Sequence, residues 1–281
     1  MLQKEKINDL KKLAIEIRIE TLRAVGNLGF GHIGGALSIV DTLAVLYGVE
    51  MKYDSKNPKW EERDWLVCSK GHAGPAVYSS LALSGFFPKE DLLTLNTPGT
   101  HFPSHCDMNL TTGIDMTTGS LGQGASLAVG IALGHKYDKR DNFTYLILGD
   151  GEIQEGQVWE SASYAGHKKL DNLITFIDAN KKQLDGFTKD INDSGDIKAK
   201  FEAFGWHGQD IDGSDVEEIY DAIETAKAAK GKPSVIVLNT IKGKGWEFAE
   251  TTASNHHMTV SKEQAAEAIK ILEEALKEVT K

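Results

Sequence analysis

Apolar residues recur along this 281-residue chain with two different periods, and the alternation between them predicts the architecture. Over residues 6–27, Leu10, Leu13, Ala14, Ile17 and Val25 fall at helical spacing with Lys and Glu between them. That is the pattern of a helix with one buried face. Short unbroken apolar runs at Trp65–Cys68, 143–148, Leu173–Asp178 and Ser234–Asn239 read instead as buried strands. Helical patterns from about Pro75, at Ala125–Tyr137, at 157–168, near 196–204 and at 215–230 separate these runs. Ser38-Ile39-Val40-Asp41 and Ser261-Lys262-Glu263-Gln264 both have the form of a capping box, predicting helices through Tyr47 and to about Val279. Strands alternating with helices imply an α/β fold, a parallel sheet with helices on both faces. The length suits one large domain over residues 1–281.

Two segments lack either period. Residues 86–118 form an irregular stretch too long for an idle connector, and it carries His101 and His105. Gly243–Met258 is polar and glycine-bearing, which suits a site or an interface. A net charge of −10 argues against nucleic acid as a partner, since phosphate backbones need a basic face. No run approaches the roughly 18 apolar residues of a membrane span, and the amino terminus lacks a signal peptide's apolar core. Two cysteines, Cys68 and Cys106, are too few for a disulfide framework. A cytoplasmic protein without nucleic-acid or membrane partners is the expectation.

Chemistry enters where two apolar runs end. Tyr145-Leu146-Ile147-Leu148 breaks into Gly149-Asp150-Gly151-Glu152, and a second run ends in Asp178-Ala179-Asn180. Ligands of open parallel sheets bind at the carboxyl ends of strands. Glycines let the backbone approach a bulky anion, and a carboxylate with an amide oxygen suits a hard cation such as magnesium. Taken singly, Asp150 fits a helix cap and Asn180 a turn; together, at matched strand ends, they fit a diphosphate and its counter-ion. No G-x-G-x-x-G follows a strand, and Gly243-Lys244-Gly245 lacks the ending of a phosphate loop. His32, His72, His105, His256 and His257 each adjoin glycine or irregular backbone, where a ring can reach a ligand.

In order, these motifs resemble the amino-terminal, diphosphate-binding half of transketolase, a thiamine-diphosphate enzyme. The resemblance spans about residues 10–260. It rests on Gly31-His32-x-Gly34, Gly71-His72, Gly119-x-Leu121-Gly122-Gln123-Gly124, Gly149-Asp150-Gly151 with Glu155-Gly156, Asn180 with Asp185-Gly186, and Lys242-Gly243-Lys244-Gly245. It implies the thiamine-diphosphate-binding fold, with thiamine diphosphate and Mg2+ as cofactors and Ca2+ or Mn2+ as substitutes. Asp150 and Asn180 would ligate the metal through side chains, and Lys182 through its carbonyl. His72, Gly151 and His256 would contact the diphosphate, with His257 the alternative to His256. Gly119 and Leu121 would lie along the aminopyrimidine and Leu184 under the thiazolium. His32, His105 and His256 would face the sugar as catalytic residues. Glu155 and Glu160 match acidic residues at the family's subunit interface.

The implied activity moves a two-carbon ketol unit from a ketose phosphate to an aldose phosphate. Ile33 stands where the family has proline, and Ser104-His105-Cys106-Asp107 replaces a glycine-histidine-proline-acid run. Both departures flank substrate-facing histidines, so they bear on sugar preference rather than on cofactor binding. The family's activating glutamate lies on a pyrimidine-binding domain, and this chain stops at Lys281. The expectation is therefore a split transketolase, whose separate carboxy-terminal subunit supplies that domain in a heterotetramer of two copies each. One rival is the subunit of another thiamine-diphosphate enzyme, such as a specialised sugar transketolase or a deoxyxylulose-phosphate synthase. The other is a non-catalytic cofactor-binding module.

Overall fold

Five parallel strands form the centre of the computed structural model, which describes residues 2–279. They are β1 (Trp65–Cys68), β2 (Thr144–Gly149), β3 (Leu173–Ala179), β4 (His207–Asp212) and β5 (Ser234–Asn239). Their order across the sheet is β1-β2-β3-β5-β4. Main helices are α1 (Lys4–Leu28), α2 (Val40–Val45), α3 (Gly74–Leu83), α4 (Gln123–Tyr137), α5 (Gly156–Lys168), α6 (Ile197–Ala203), α7 (Val216–Ala228) and α8 (Lys262–Val279).

Alternation along the strands builds two cores. Leu66, Cys68, Tyr145, Ile147, Ile174, Phe176, Ile236 and Leu238 face α1, α2, α3 and α7. Val67, Leu146, Leu148, Leu173, Ile177 and Val235 face α4, α5 and Phe201 of α6. Successive side chains of a strand point to opposite faces, so an apolar residue at nearly every position means both faces are covered. The sheet and its two helical layers match the expected class. β4 was invisible to the apolar pattern because it is the polar edge strand His207-Gly208-Gln209-Asp210-Ile211-Asp212, with no fully buried residue. Polar edges of this kind limit pairing with other chains.

The two expected capping boxes part company. At Ser261 the motif closes reciprocally: the Ser261 N–H donates to Gln264 Oε1 at 2.9 Å, and the Gln264 N–H to Ser261 Oγ at 3.2 Å. Ser38 does not cap; α2 starts after Ile39, and the Ser38 hydroxyl donates to Asp178 Oδ2 at 2.6 Å. The Ser38 backbone is itself helical (φ −67°, ψ −22°), closing the turn Gly34–Leu37, so it does not take the extended conformation of a helix cap. Helix α8 packs along α1 rather than on the sheet, and a Cβ on Gly26 would lie only 2.3 Å from that of Ala265. A two-residue antiparallel bridge pairs Phe30 with Thr259 and Gly31 with Met258, holding the segment before α8 against the segment after α1.

Candidate active site

Parallel register aligns the carboxyl ends of the strands, with Gly149 beside Asp178 and Asp178 beside Leu238. Asp150, Asn180 and Lys242 therefore leave three neighbouring strands on one edge of the sheet, and His72 joins them from beyond β1. These residues line a cavity of about 300 Å³ together with Leu121, Gly151, Lys182, Leu184 and Gln183. His32 and His105 adjoin it. The His32 ring centroid lies 5.5 Å from that of His72 and 5.3 Å from those of His105 and His256. Gly119 packs on His105, where a Cβ would sit 3.0 Å from the ring, and its φ of +141° suits glycine alone. The sequence-derived candidates thus converge on one place.

Asp178 is the anchor beneath them. Its buried Oδ2 accepts hydrogen bonds from Lys70 Nζ at 2.5 Å, Ser38 Oγ at 2.6 Å and Asn180 Nδ2 at 2.7 Å, and its Oδ1 from Thr240 Oγ1 at 2.5 Å. Burial works against the charge, yet Lys70, Ser38 and Thr240 hold the carboxyl below the usual range. The bond to Asp178 also fixes the Asn180 amide, and its Oδ1 accepts the Lys182 N–H at 3.1 Å. Sequence reasoning gave no site role to Lys70, Asp178 or Lys242. The available signal for Asp178 was a lone charged residue inside the Leu173–Ala179 run.

Asp150 is nearly as buried but less well compensated. Its Oδ1 accepts the Gly151 N–H at 2.9 Å and its Oδ2 the Lys181 N–H at 2.6 Å. Lys181 holds that amide in place from a left-handed conformation, φ +65°, uncommon outside glycine. No side-chain cation pairs with Asp150 among the described residues, and burial followed by the nearby Asp178 raises its carboxyl to about 7. The Lys182 carbonyl accepts Lys242 Nζ at 3.0 Å, and the same ammonium lies 3.2 Å from His256 Nδ1. Burial, then Lys70, lowers Lys242 to about 8.

Glu152 ties the loops together: its carboxylate accepts the Gly122 N–H at 2.9 Å, the Gly149 N–H at 3.0 Å and the Ser69 hydroxyl. The long loop is pinned likewise, as Tyr78 OH donates to the carbonyls of Pro103 and His105. Burial favours the neutral ring at four of the histidines. Burial, aided by neighbouring rings and Lys242, lowers His32 to about 4, and burial with Lys242 lowers His256 to about 3. Burial also lowers His105, and burial with Lys70 holds His72 well below its ordinary value. His256 lines the cavity, whereas His257 is exposed beside His32. Glu155 and Glu160 lie exposed around the start of α5.

Comparison with known proteins agrees with this geometry. The sequence matches the family model of the transketolase thiamine diphosphate binding domain over residues 10–275. A 6-deoxy-6-sulfo-D-fructose transketolase subunit from Clostridium sp. (strain MSTE9) is 56% identical over 265 residues, covering 94% of this chain and 96% of that one. An apulose-4-phosphate transketolase subunit from Phocaeicola vulgatus is 36% identical over 251 residues, 89% of each chain. The crystal structure of transketolase from Campylobacter jejuni superposes with a TM-score of 0.87 at 33% identity, over 96% of this chain and 43% of that one. The chain belongs to the transketolase family of transferases and carries its thiamine-diphosphate-binding domain. It corresponds nearly end to end to the two subunits, and it spans less than half of the solved transketolase. No helix among the described residues is long and apolar enough to cross a membrane.

Proposed function

We propose that the chain is the diphosphate- and metal-binding half of a ketol-transferring active site, working as a unit over its whole length. The observation that carries this is the pairing of an under-compensated buried carboxylate, Asp150, with a histidine cluster at one strand-end cavity. The donor set suits a hard divalent cation: Asp150 carboxylate, Asn180 Oδ1 and the Lys182 carbonyl are all oxygens. A magnesium ion there would supply the positive charge that Asp150 lacks, with Ca2+ or Mn2+ as substitutes. A metal taking the Lys182 carbonyl leaves the Lys242 ammonium for a diphosphate oxygen, beside His72, His256 and the Gly151 backbone. Gly151 also lets this loop pack on Gln183, whose Cβ a side chain there would meet at 2.9 Å.

Bound thiamine diphosphate supplies the nucleophilic carbon and the electron sink for cleaving a ketose carbon–carbon bond. The chain's own residues position and manage protons. His32, His105 and His256 present neutral rings that accept or donate hydrogen bonds to sugar hydroxyls, and an adjacent diphosphate raises their basicity toward the working pH. Leu121 and Leu184, both exposed in this chain, offer apolar contact to the cofactor rings. The activating glutamate and the other wall come from a separate carboxy-terminal subunit, in a heterotetramer of two copies each. Relatives of matching length that are named as subunits support that arrangement. A reducing cytoplasm suits the two buried free thiols, Cys68 and Cys106.

The donor is a ketose bearing a phosphate or a sulfonate, and the 56% identity to the sulfofructose enzyme's subunit favours the sulfonate. The test is ketol transfer by the reconstituted pair, alongside calorimetry of thiamine diphosphate with magnesium on wild type and Asp150→Ala. Transfer of a two-carbon unit, and at least a hundredfold weaker cofactor binding in the variant, are expected. Condensation of pyruvate with release of carbon dioxide would overturn the assignment.

A further inference from the structure

The histidines form a row that leaves the cofactor cavity. His72 and His256 line the cavity with ring centroids 4.7 Å apart, His256 lies 5.3 Å from His32, and His32 lies 4.7 Å from His257. The last of these is exposed. Its place follows from backbone register: the bridge pairs Phe30 with Thr259 and Gly31 with Met258, so one step further sets His257 opposite His32. The His257 ring meets His32 edge-on at 77°, and the Phe30 ring supports it at 5.7 Å. A ring buttressed on both sides loses little freedom when it binds.

Spacing along the row says which part of a sugar reaches it. An extended chain advances roughly 3.5 Å over three bonds, so 4.7 Å corresponds to about four bonds of a ketose. With the reacting end held among His32, His105 and His256, the group at His257 is the far end of a five- or six-carbon sugar. Resting on the ketol-transfer function above, we propose that His257 is a further substrate-binding residue, hydrogen-bonding the tetrahedral oxyanion (phosphate or sulfonate) at that end. An imidazole N–H donating to a charged oxygen forms one of the stronger hydrogen bonds, and the sugar without its charged group forfeits it.

The test uses the two-subunit enzyme loaded with thiamine diphosphate and magnesium, as wild type, His257→Ala and His257→Gln. The donors are fructose 6-phosphate, 6-deoxy-6-sulfofructose and fructose. The ratio of kcat/KM for a charged donor to that for fructose should fall about tenfold in His257→Ala, chiefly through KM, with partial recovery in His257→Gln. Loss confined to the phosphate or to the sulfonate identifies which oxyanion is bound. An equal loss on all three donors overturns the proposal, since His257 would then only prop His32, and so does an unchanged ratio. If wild type turns over none of the three, ketol transfer itself fails. The imidazole NMR signal of His257, assigned by its loss in His257→Gln, then still decides the contact. A shift with fructose 6-phosphate and not with fructose supports it; no shift with either sugar phosphate or sulfonate overturns it.

Discussion

Asp150 and Asp178 sit at the ends of adjacent strands, both buried and less than one strand spacing out of register. Asp178 meets an ammonium, two hydroxyls and an amide, and its carboxyl is held below the ordinary range. Asp150 meets two backbone amides, and its carboxyl is pushed to about 7. A buried charge that the chain satisfies by itself belongs to the scaffold. One that the chain leaves short of positive charge marks where a ligand's charge is expected. The same residue type, a few ångströms apart, thus does two jobs that only the count of partners distinguishes.

Breaking the satisfied side should have the larger effect. Lys70→Met leaves Asp178 buried without its cation, and unfolding by denaturant should show a loss of about 3–5 kcal/mol. Asn180 and Ser38 would lose their common acceptor geometry, so cofactor binding falls as well. An equally stable Lys70→Met protein would show that the hydrogen bonds alone sustain Asp178.

The unsatisfied side predicts the opposite sign. In the cofactor-free chain the raised Asp150 carboxyl contributes stability fully below the unfolded value near 4, and this is lost as pH rises through about 7. Asp150→Asn removes that loss, so the variant should gain stability over wild type between about pH 4 and pH 7, by up to a few kcal/mol. Magnesium with thiamine diphosphate should reverse the ranking by stabilising only the wild type. Parallel stability curves for the two proteins across that range would remove the distinction between the aspartates.

The smallest effect separates the two serines. Ser261→Ala removes a half-buried helix cap remote from the cavity and should cost about 1 kcal/mol in thermal or chemical denaturation, with cofactor affinity unchanged. Ser38→Ala withdraws a buried donor from Asp178, costs about 1–3 kcal/mol and weakens cofactor binding too. Indistinguishable affinities for the two variants would argue against a link from Ser38 to the site.

How much of this was legible depended on sequence distance. Apolar runs ending in Gly149-Asp150-Gly151 and Ala179-Asn180 announced both the sheet and the edge used for binding, because strand and ligand residues are consecutive there. The histidines could be named from their glycine neighbours. Lys70 could not be paired with Asp178, since 108 positions separate them and nothing local marks a lysine as buried. Ser38 carried a capping pattern, yet a helical turn precedes it and its hydroxyl donates to a carboxylate 140 positions away. β4 escaped because an edge strand needs no apolar face, and Lys242 entered only as the first residue of a motif, its contacts with Lys182 and His256 being 60 and 14 positions away.

The bridge between Phe30–Gly31 and Met258–Thr259 also bears on how the chain is made. During synthesis from the amino terminus, His32 emerges more than two hundred residues before His256 and His257. Most of the sheet can assemble in the interval, although β5, which separates β3 from β4, arrives late. The loop that this bridge closes is among the longest the chain allows, and long closures are slow to form. A nascent polypeptide therefore acquires its scaffold first and its row of imidazoles last. Binding competence, on this topology, waits until residues 256–259 have been made and have met the segment after α1.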